Sequence, residues 1–297
     1  MKQEIDFLNP EIISKISSFD LRAKLVVEGF LTGLHKSPYH GFSVEFSEFR
    51  QYMPGDDFKK IDWKVFGRTE RHYIKNYEDE TNLNLNILID TSASMNYTSK
   101  KIKKIEYACN VAAIISYLAI KQRDAVGLTL FDEKINYFIK PNSTKSQLKR
   151  ILIELQNIKT SNKTNISDVL HIVSEKIKQK GLVIILSDLF EEPNKILNAI
   201  KHFRFNKHEV ILFHILDPEE INFNFSSDTI FKDMEQNDSI RTQPMMIKKT
   251  YKDAMKKFIE FYKKNCLLQN VDYVLMDTKT QFDVAITQYL YKRSKLI

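Results

Sequence analysis

The sequence predicts an α/β protein: a doubly wound, mostly parallel sheet with an N-terminal α+β extension packed on it. Three observations predict it. From residue 83 onward, short apolar runs alternate with longer amphipathic stretches. The apolar runs are continuous rather than alternating, the pattern of strands buried on both faces. Five of the seven Gly fall between Gly29 and Gly67, so the first quarter is turn-rich and the remainder is not. The boundary this implies divides the chain into an N-terminal region, 1–80, and an α/β domain, 81–297.

The extension begins with a predicted helix over Asp20–Leu31, where Leu21, Leu25, Val26 and Phe30 lie on related faces. A loop (HKSPYHG), a strand candidate at Phe42–Phe49, a Pro54-Gly55 turn and an extended piece at Arg71–Tyr77 follow. In the second region the strand candidates are Leu85–Asp90, Ala125–Phe131, Val183–Leu186, Val210–Leu216 and Tyr273–Met276. Between and after them the helical period marks Ile102–Ile120, Ser146–Ile158, Ile166–Gln179, Lys195–Phe203, Lys248–Lys264 and Phe282–Tyr291. The apolar segment Ile135–Ile139 follows its predecessor too closely for a crossover, so it must return as an antiparallel edge strand. The polar segment Asp228–Ile240 reads as a surface insertion, a small hairpin.

Composition excludes several classes. The 297 residues are 43% hydrophobic and 28% charged with only seven Gly and seven Pro, an ordinary globular balance that rules out collagen-like and largely disordered chains. Cys109 and Cys266 are far apart and lack metal spacing, which argues against a secreted disulfide scaffold and for a reducing cytosol. The N-terminus has no apolar signal core, and the longest apolar run, Val111–Ile120, is too short to span a bilayer. The expected location is therefore cytoplasmic. The net charge is +7, divided as −2 over residues 1–80 and +9 over residues 81–297. A basic excess invites nucleic-acid binding, but its Lys-rich makeup, with only nine Arg, suits solubility better than phosphate recognition.

In a doubly wound sheet, ligands bind beyond the carboxyl ends of the strands. Here the candidate strands end at Asp90, Asp132, Asp188, Asp217 and Asp277. For Asp132, Asp217 and Asp277, turn formation and helix capping are sufficient roles. Asp90 differs because it opens Asp90-x-Ser92-x-Ser94, a carboxylate and two hydroxyls on one loop. Asp188 can add a second carboxylate and Thr164 a further hydroxyl. Hard oxygen donors of this kind suit Mg²⁺ or Mn²⁺. This set resembles the metal-ion-dependent adhesion site of von Willebrand factor A-like domains, a Rossmann-type fold. The resemblance covers about residues 81–297 and implies that Asp90, Ser92, Ser94, Thr164 and Asp188 hold the metal. It also implies an open metal position filled by an acidic side chain of a protein partner. The family's Gly-Gly-Thr loop reads Asn162-Lys163-Thr164 here.

The first region carries a second resemblance. Arg50, Tyr52, Pro54, Gly55, Asp56 and Asp57, followed by Ile61, Asp62 and Trp63, are similar to the hallmark of the bacterial domain-of-unknown-function 58 family. Later stretches, DAVGLTLFDE and HEVILFHILDPEE among them, also match, so the likeness spans most of the chain. It implies an adaptor that works with a MoxR-type AAA+ ATPase in assembly, maturation or stress response. Many members carry N-terminal membrane spans, and this chain is expected to be a soluble short form. Physically, Pro54-Gly55 suits a type II turn. The nearby Asp and Arg residues suit a salt-bridged junction, and Trp63 a packing anchor.

Other features have ordinary readings. Lys100, Lys101, Lys103 and Lys104 precede or begin a helix, where cations oppose the dipole. Solvation is the expected answer, an acidic partner surface the alternative. His35 and His40 flank a loop with no spacing for a structural zinc site, and His171, His202, His208 and His214 are expected on different elements, with no Ser-His-Asp order. No P-loop or dinucleotide fingerprint occurs. The expected function is thus a non-enzymatic, metal-dependent interaction module. A metal-dependent hydrolase is the first alternative, although an Asp-nucleophile phosphatase wants Asp where Ser92 stands. Nucleic-acid binding through the basic faces is the second.

Overall fold

The computed structural model describes residues 9–36, 49–51, 73–75, 83–160, 165–225, 229–232, 239–242 and 244–296. The helices in chain order are α1 (Pro10–Ile13), α2 (Phe19–Lys36), α3 (Lys104–Lys121), α4 (Lys145–Gln156), α5 (Ile166–Lys176), α6 (Pro193–Phe205), α7 (Pro218–Asn222), α8 (Pro244–Leu268) and α9 (Asp283–Ser294). The strands are β1 (Phe49–Gln51), β2 (Tyr73–Lys75), β3 (Asn84–Asp90), β4 (Ala125–Phe131), β5 (Ile135–Asn142), β6 (Leu182–Ser187), β7 (Glu209–Leu216), β8 (Thr229–Lys232), β9 (Ser239–Thr242) and β10 (Asp272–Asp277).

Six strands form one sheet in the order β10-β7-β6-β3-β4-β5. Every neighbouring pair is parallel except β4 with β5, which are antiparallel, as the short connection between them requires. Strand β3 is central and its two neighbours lead the chain in opposite directions, so the sheet has its switch point between β3 and β6. The insertion is the expected hairpin, β8 paired antiparallel with β9. In the N-terminal region β1 and β2 pair antiparallel, with Arg50 opposite Ile74. The strand candidate Phe42–Phe49 lies outside the described residues except for its last residue.

The period of two in the strands sorts side chains onto the two faces. Leu85, Ile87 and Ile89 of β3, with Ile211, Phe213 and Ile215 of β7, join a core with residues of α2, α3, α4 and α9. Leu88 of β3, with Val183 and Ile185 of β6, joins a second core with α5, α6 and α8. Helix α3 is buried on nearly every side, because α2 covers the face turned away from the sheet. Ile13, Ala23, Val26 and Val27 thereby belong to the same core as β3. Arg22 secures this contact. Its guanidinium donates to Asn110 Oδ1 on α3 at 3.1 Å, to the Ser14 carbonyl at 2.8 Å and to the Ile16 carbonyl, and pairs with Glu106 at 3.4 Å.

Candidate metal centre at the strand-end edge

Strands β3 and β6 end side by side at the switch point and deliver Asp90 and Asp188 to one edge of the sheet. Both carboxylates are fully buried. Asp90 Oδ1 accepts from the Ser92 backbone N–H at 2.9 Å, which folds the loop back on itself. Asp90 Oδ2 accepts from Ser187 Oγ at 2.6 Å. Ser187 Oγ in turn accepts from the Leu189 N–H at 2.9 Å. Leu189, at φ 59°, adopts the left-handed conformation, which costs a non-glycine residue about 1 to 2 kcal/mol. Its buried side chain and the Ser187 bond hold that turn, and the turn sets the direction of Asp188.

After Asp90, Thr91 is tied to the end of β4 through its amide and hydroxyl, which donate to the Phe131 carbonyl at 2.7 and 2.9 Å. A 3-10 turn over Ala93–Asn96 follows. The Ser92 and Ser94 hydroxyls lie 3.0 Å apart; Ser92 is buried and Ser94 half-buried, so the set opens toward solvent at Ser94. The structure therefore brings together Asp90, Ser92, Ser94 and Asp188. Thr164 lies outside the described residues, as do Tyr52, Pro54, Gly55, Asp56, Asp57, Asp62 and Trp63.

One expectation is overturned at this edge. Lys104 is not solvated. Its ammonium is fully buried, 2.8 Å from Asp188 Oδ2 and 2.6 Å from Glu220 Oε1, and lies over the Phe190 ring at 4.8 Å. Two carboxylates converge on it, from the end of β6 and the start of α7, and their demand for a cation outweighs the hydration that ordinarily keeps lysine outside. Burial alone would lower the Lys104 pKa, but Asp188 and Glu220 outweigh it and the ammonium is held above its ordinary range.

Glu220 is placed by the start of α7. Asp217 accepts from the Glu219 N–H at 2.8 Å, and Glu220 Oε2 accepts from the Asp217 N–H at 2.7 Å, a capping box. Asp217 also binds the Ser99 amide at 2.9 Å and the Ser99 hydroxyl, tying the β3 loop to the end of β7. Asp132 and Asp277 serve turns, accepting from the Lys134 and Lys279 amides. Behind Asp188, buried His214 donates from Nε2 to the Asp188 carbonyl at 3.0 Å, so its Nδ1 accepts from Tyr273 Oη at 2.7 Å. Burial holds this ring well below its usual pKa, at about 4, so it is neutral. His171 and His202, on different elements as expected, meet between α5 and α6 with Nδ1 atoms 3.0 Å apart.

The charge balance favours a cation. Asp188 and Glu220 share one ammonium, so carboxylates outnumber the cation there, and the buried Asp90 carboxyl stands close enough to Asp188 to feel its charge. Burial first, and the Asp188 charge second, push the Asp90 carboxyl up to about 7 despite its two hydrogen bonds. Among the described residues no three His, Cys, Asp or Glu side chains converge as a metal cluster, so a metal here depends on hydroxyl oxygens beside the carboxylates. Two carboxylates and two hydroxyls are hard donors that fit Mg²⁺ or Mn²⁺. Ser187 and Glu220 are not among the residues the sequence singles out, although the Asp-Pro-Glu-Glu start of α7 is a legible capping signature.

The sheet order, its antiparallel edge strand and the Asp-x-Ser-x-Ser loop at the switch point define a von Willebrand factor A-like domain. Residues 48–258 match the family described as "Protein of unknown function DUF58", and the chain belongs to it. A relative, "Uncharacterized protein Rv1480" of Mycobacterium tuberculosis, is 22% identical over 235 residues, covering 77% of this chain and 73% of its own. Among solved structures, the conserved hypothetical protein BatB from Bacteroides thetaiotaomicron is similar at 17% identity and TM-score 0.48. It covers 72% of this chain and 99% of its own. An aerotolerance-related membrane protein from Bacteroides fragilis gives 16% identity and TM-score 0.49, with 71% and 99% covered. The SpRpn10 VWA domain gives 12% identity and TM-score 0.40, with 69% and 95% covered. Among the described residues, no helix is long and apolar enough to cross a membrane.

Proposed function

We propose that this protein is a non-enzymatic interaction module that grips an acidic side chain of a partner through Mg²⁺, or Mn²⁺ in its place, held by Asp90, Ser92, Ser94, Thr164 and Asp188. The observation that carries this reading is the pair of buried strand-end carboxylates, with two hydroxyls beside them and fewer cations than anions around them. A bound divalent ion supplies a Lewis-acidic position for one further oxygen ligand. The protein's part is to hold its donors rigid, through Ser187 and the Ser92 amide on Asp90 and through the Leu189 turn on Asp188.

Binding rather than hydrolysis is favoured by the engagement of these carboxylates. Asp90 is occupied by two donors and Asp188 by Lys104, which leaves neither placed as a general base. The family resemblance supplies the partner class, a MoxR-type AAA+ ATPase, and a cytoplasmic adaptor role. Millimolar Mg²⁺ should raise the melting temperature of the wild type, and Asp90→Ala should abolish that rise. An unchanged melting curve in both Mg²⁺ and Mn²⁺ removes the metal. A pull-down with and without chelator then tests the partner: capture of the ATPase should be lost on chelation.

A further inference from the structure

Lys104 is a buried cation on the same carboxylate oxygen set that the proposed metal needs. Its ammonium touches Asp188 Oδ2 at 2.8 Å and has a second carboxylate, Glu220 Oε1, at 2.6 Å. Glu220 is itself fixed by the capping box of α7, so it remains in place whether or not Asp188 keeps its ion pair. The aromatic rings of Phe190 and Tyr97 lie 4.8 and 5.8 Å from the ammonium and give it a favourable surrounding on that side. Lys104 sits at the first turn of α3, where the helix dipole repels a cation. Its position there is maintained by the two carboxylates rather than by its own helix.

We propose that Lys104 is a tethered internal cation that competes with the divalent ion for Asp188 and sets how much metal the site requires. In the metal-free protein the ammonium neutralises Asp188. When a divalent ion takes Asp188, Lys104 keeps Glu220 as its remaining partner. This inference rests on the metal reading of the site. Its physical content is that a fixed positive charge a few ångströms from a bound cation weakens that cation's binding. At an effective dielectric near 20 the bare repulsion is roughly a thousandfold or more in affinity, and the Glu220 charge beside the ammonium offsets most of it, leaving about tenfold or more.

Net charge and tethering are separable. Lys104→Met removes the ammonium and makes the site more negative. The double variant Lys104→Met/Glu220→Gln removes the ammonium and one carboxylate together, so the formal charge of the cluster is unchanged. Calorimetric titration with Mg²⁺ alone, at fixed ionic strength, should show both variants binding at least about tenfold more tightly than wild type. Lys104→Arg, which keeps the charge, should stay near or below wild-type affinity. The double variant also answers for the case in which Lys104→Met does not fold, because it leaves no second unpaired buried carboxylate.

Wild-type binding that is lost in Asp90→Ala, together with a double variant no tighter than wild type, overturns the role of Lys104 and leaves the metal site standing. Absence of Mg²⁺ binding in the wild type and in every Lys104 variant overturns the metal reading and this inference with it.

Discussion

At the scale of single residues, burial and charge pairing decide which groups ionise. His208 is buried at the entrance to β7, edge-on to Phe203 with ring centroids 6.3 Å apart. Burial holds its pKa below the ordinary 6.5, against backbone contacts at Ile177 and Gly181 that pull the other way. The folded ring therefore stays neutral where the unfolded chain already takes up a proton. Below pH 6.5 the unfolded state binds more protons, so this ring's contribution to stability falls as the pH drops, until the folded ring also protonates. Asp90 and His214 also titrate in this range with opposite signs, so the test is a difference: between pH 7.5 and 5 the urea midpoint of wild type should lose more, or gain less, than that of His208→Gln. A variant with the wild-type slope would show that another group is responsible. The same scale separates what the sequence disclosed of the site from what it did not. Asp90, Ser92 and Ser94 are neighbours along the chain, so their convergence is local and legible. Ser187, Lys104 and Glu220 reach the site from 97, 84 and 116 positions away from the carboxylate or ammonium they bind, through contacts that no spacing rule encodes.

At the scale of elements, the strands were the most legible feature, because a strand buried on both faces is a continuous apolar run with sharp ends. Ala125–Phe131 is β4 as read, β3 and β7 begin one residue earlier than expected, and β6 is longer by one residue at each end. Helix ends differ more: α8 starts four residues earlier and ends four later than its apolar period suggests, since its end turns carry exposed Met245, Met246, Leu267 and Leu268 that fall outside the buried stripe. The five-residue α7 is too short to show a period at all. Close packing between strands also leaves marks on composition. Gly181 enters β6 beside the start of β3, where a Cβ would lie 2.0 Å from the Asn84 carbonyl oxygen. Backbone cannot yield there as a side-chain tip can. Gly181→Ala should cost about 2 to 4 kcal/mol in denaturant unfolding. The adjacent exposed Lys180→Ala should stay within about 0.5 kcal/mol of wild type. Equal effects of the two substitutions would contradict the contact.

At the scale of the whole molecule, ionic joints besides the Lys104 cluster bind distant parts of the chain together. One lies at the edge opposite the candidate site. Asp124, fully buried before β4, accepts from Tyr289 Oη at 2.8 Å and from Arg293 Nε at 2.6 Å on α9, and from the Leu83 amide at 3.2 Å. Removing the carboxylate strands all three donors. Asp124→Ala should therefore cost about 3 to 5 kcal/mol. Tyr289→Phe, which leaves the Arg293 pair intact, should cost about 1 kcal/mol by the same denaturant assay. A loss for Asp124→Ala no larger than that for Tyr289→Phe would show that Arg293 contributes nothing to the joint. Another joint is Arg22, which anchors α2 on α3 through Asn110 and Glu106. Composition placed a boundary near residue 80, and the apolar core nonetheless runs across it through Ile13, Ala23, Val26 and Val27. The practical consequence concerns dissection. A fragment starting at the boundary would carry every described candidate ligand yet lay bare the apolar outer face of α3, the helix whose first turn bears Lys104. Assays of the site belong on the chain with its first helices attached, because those helices serve as the outer wall of the site's own scaffold.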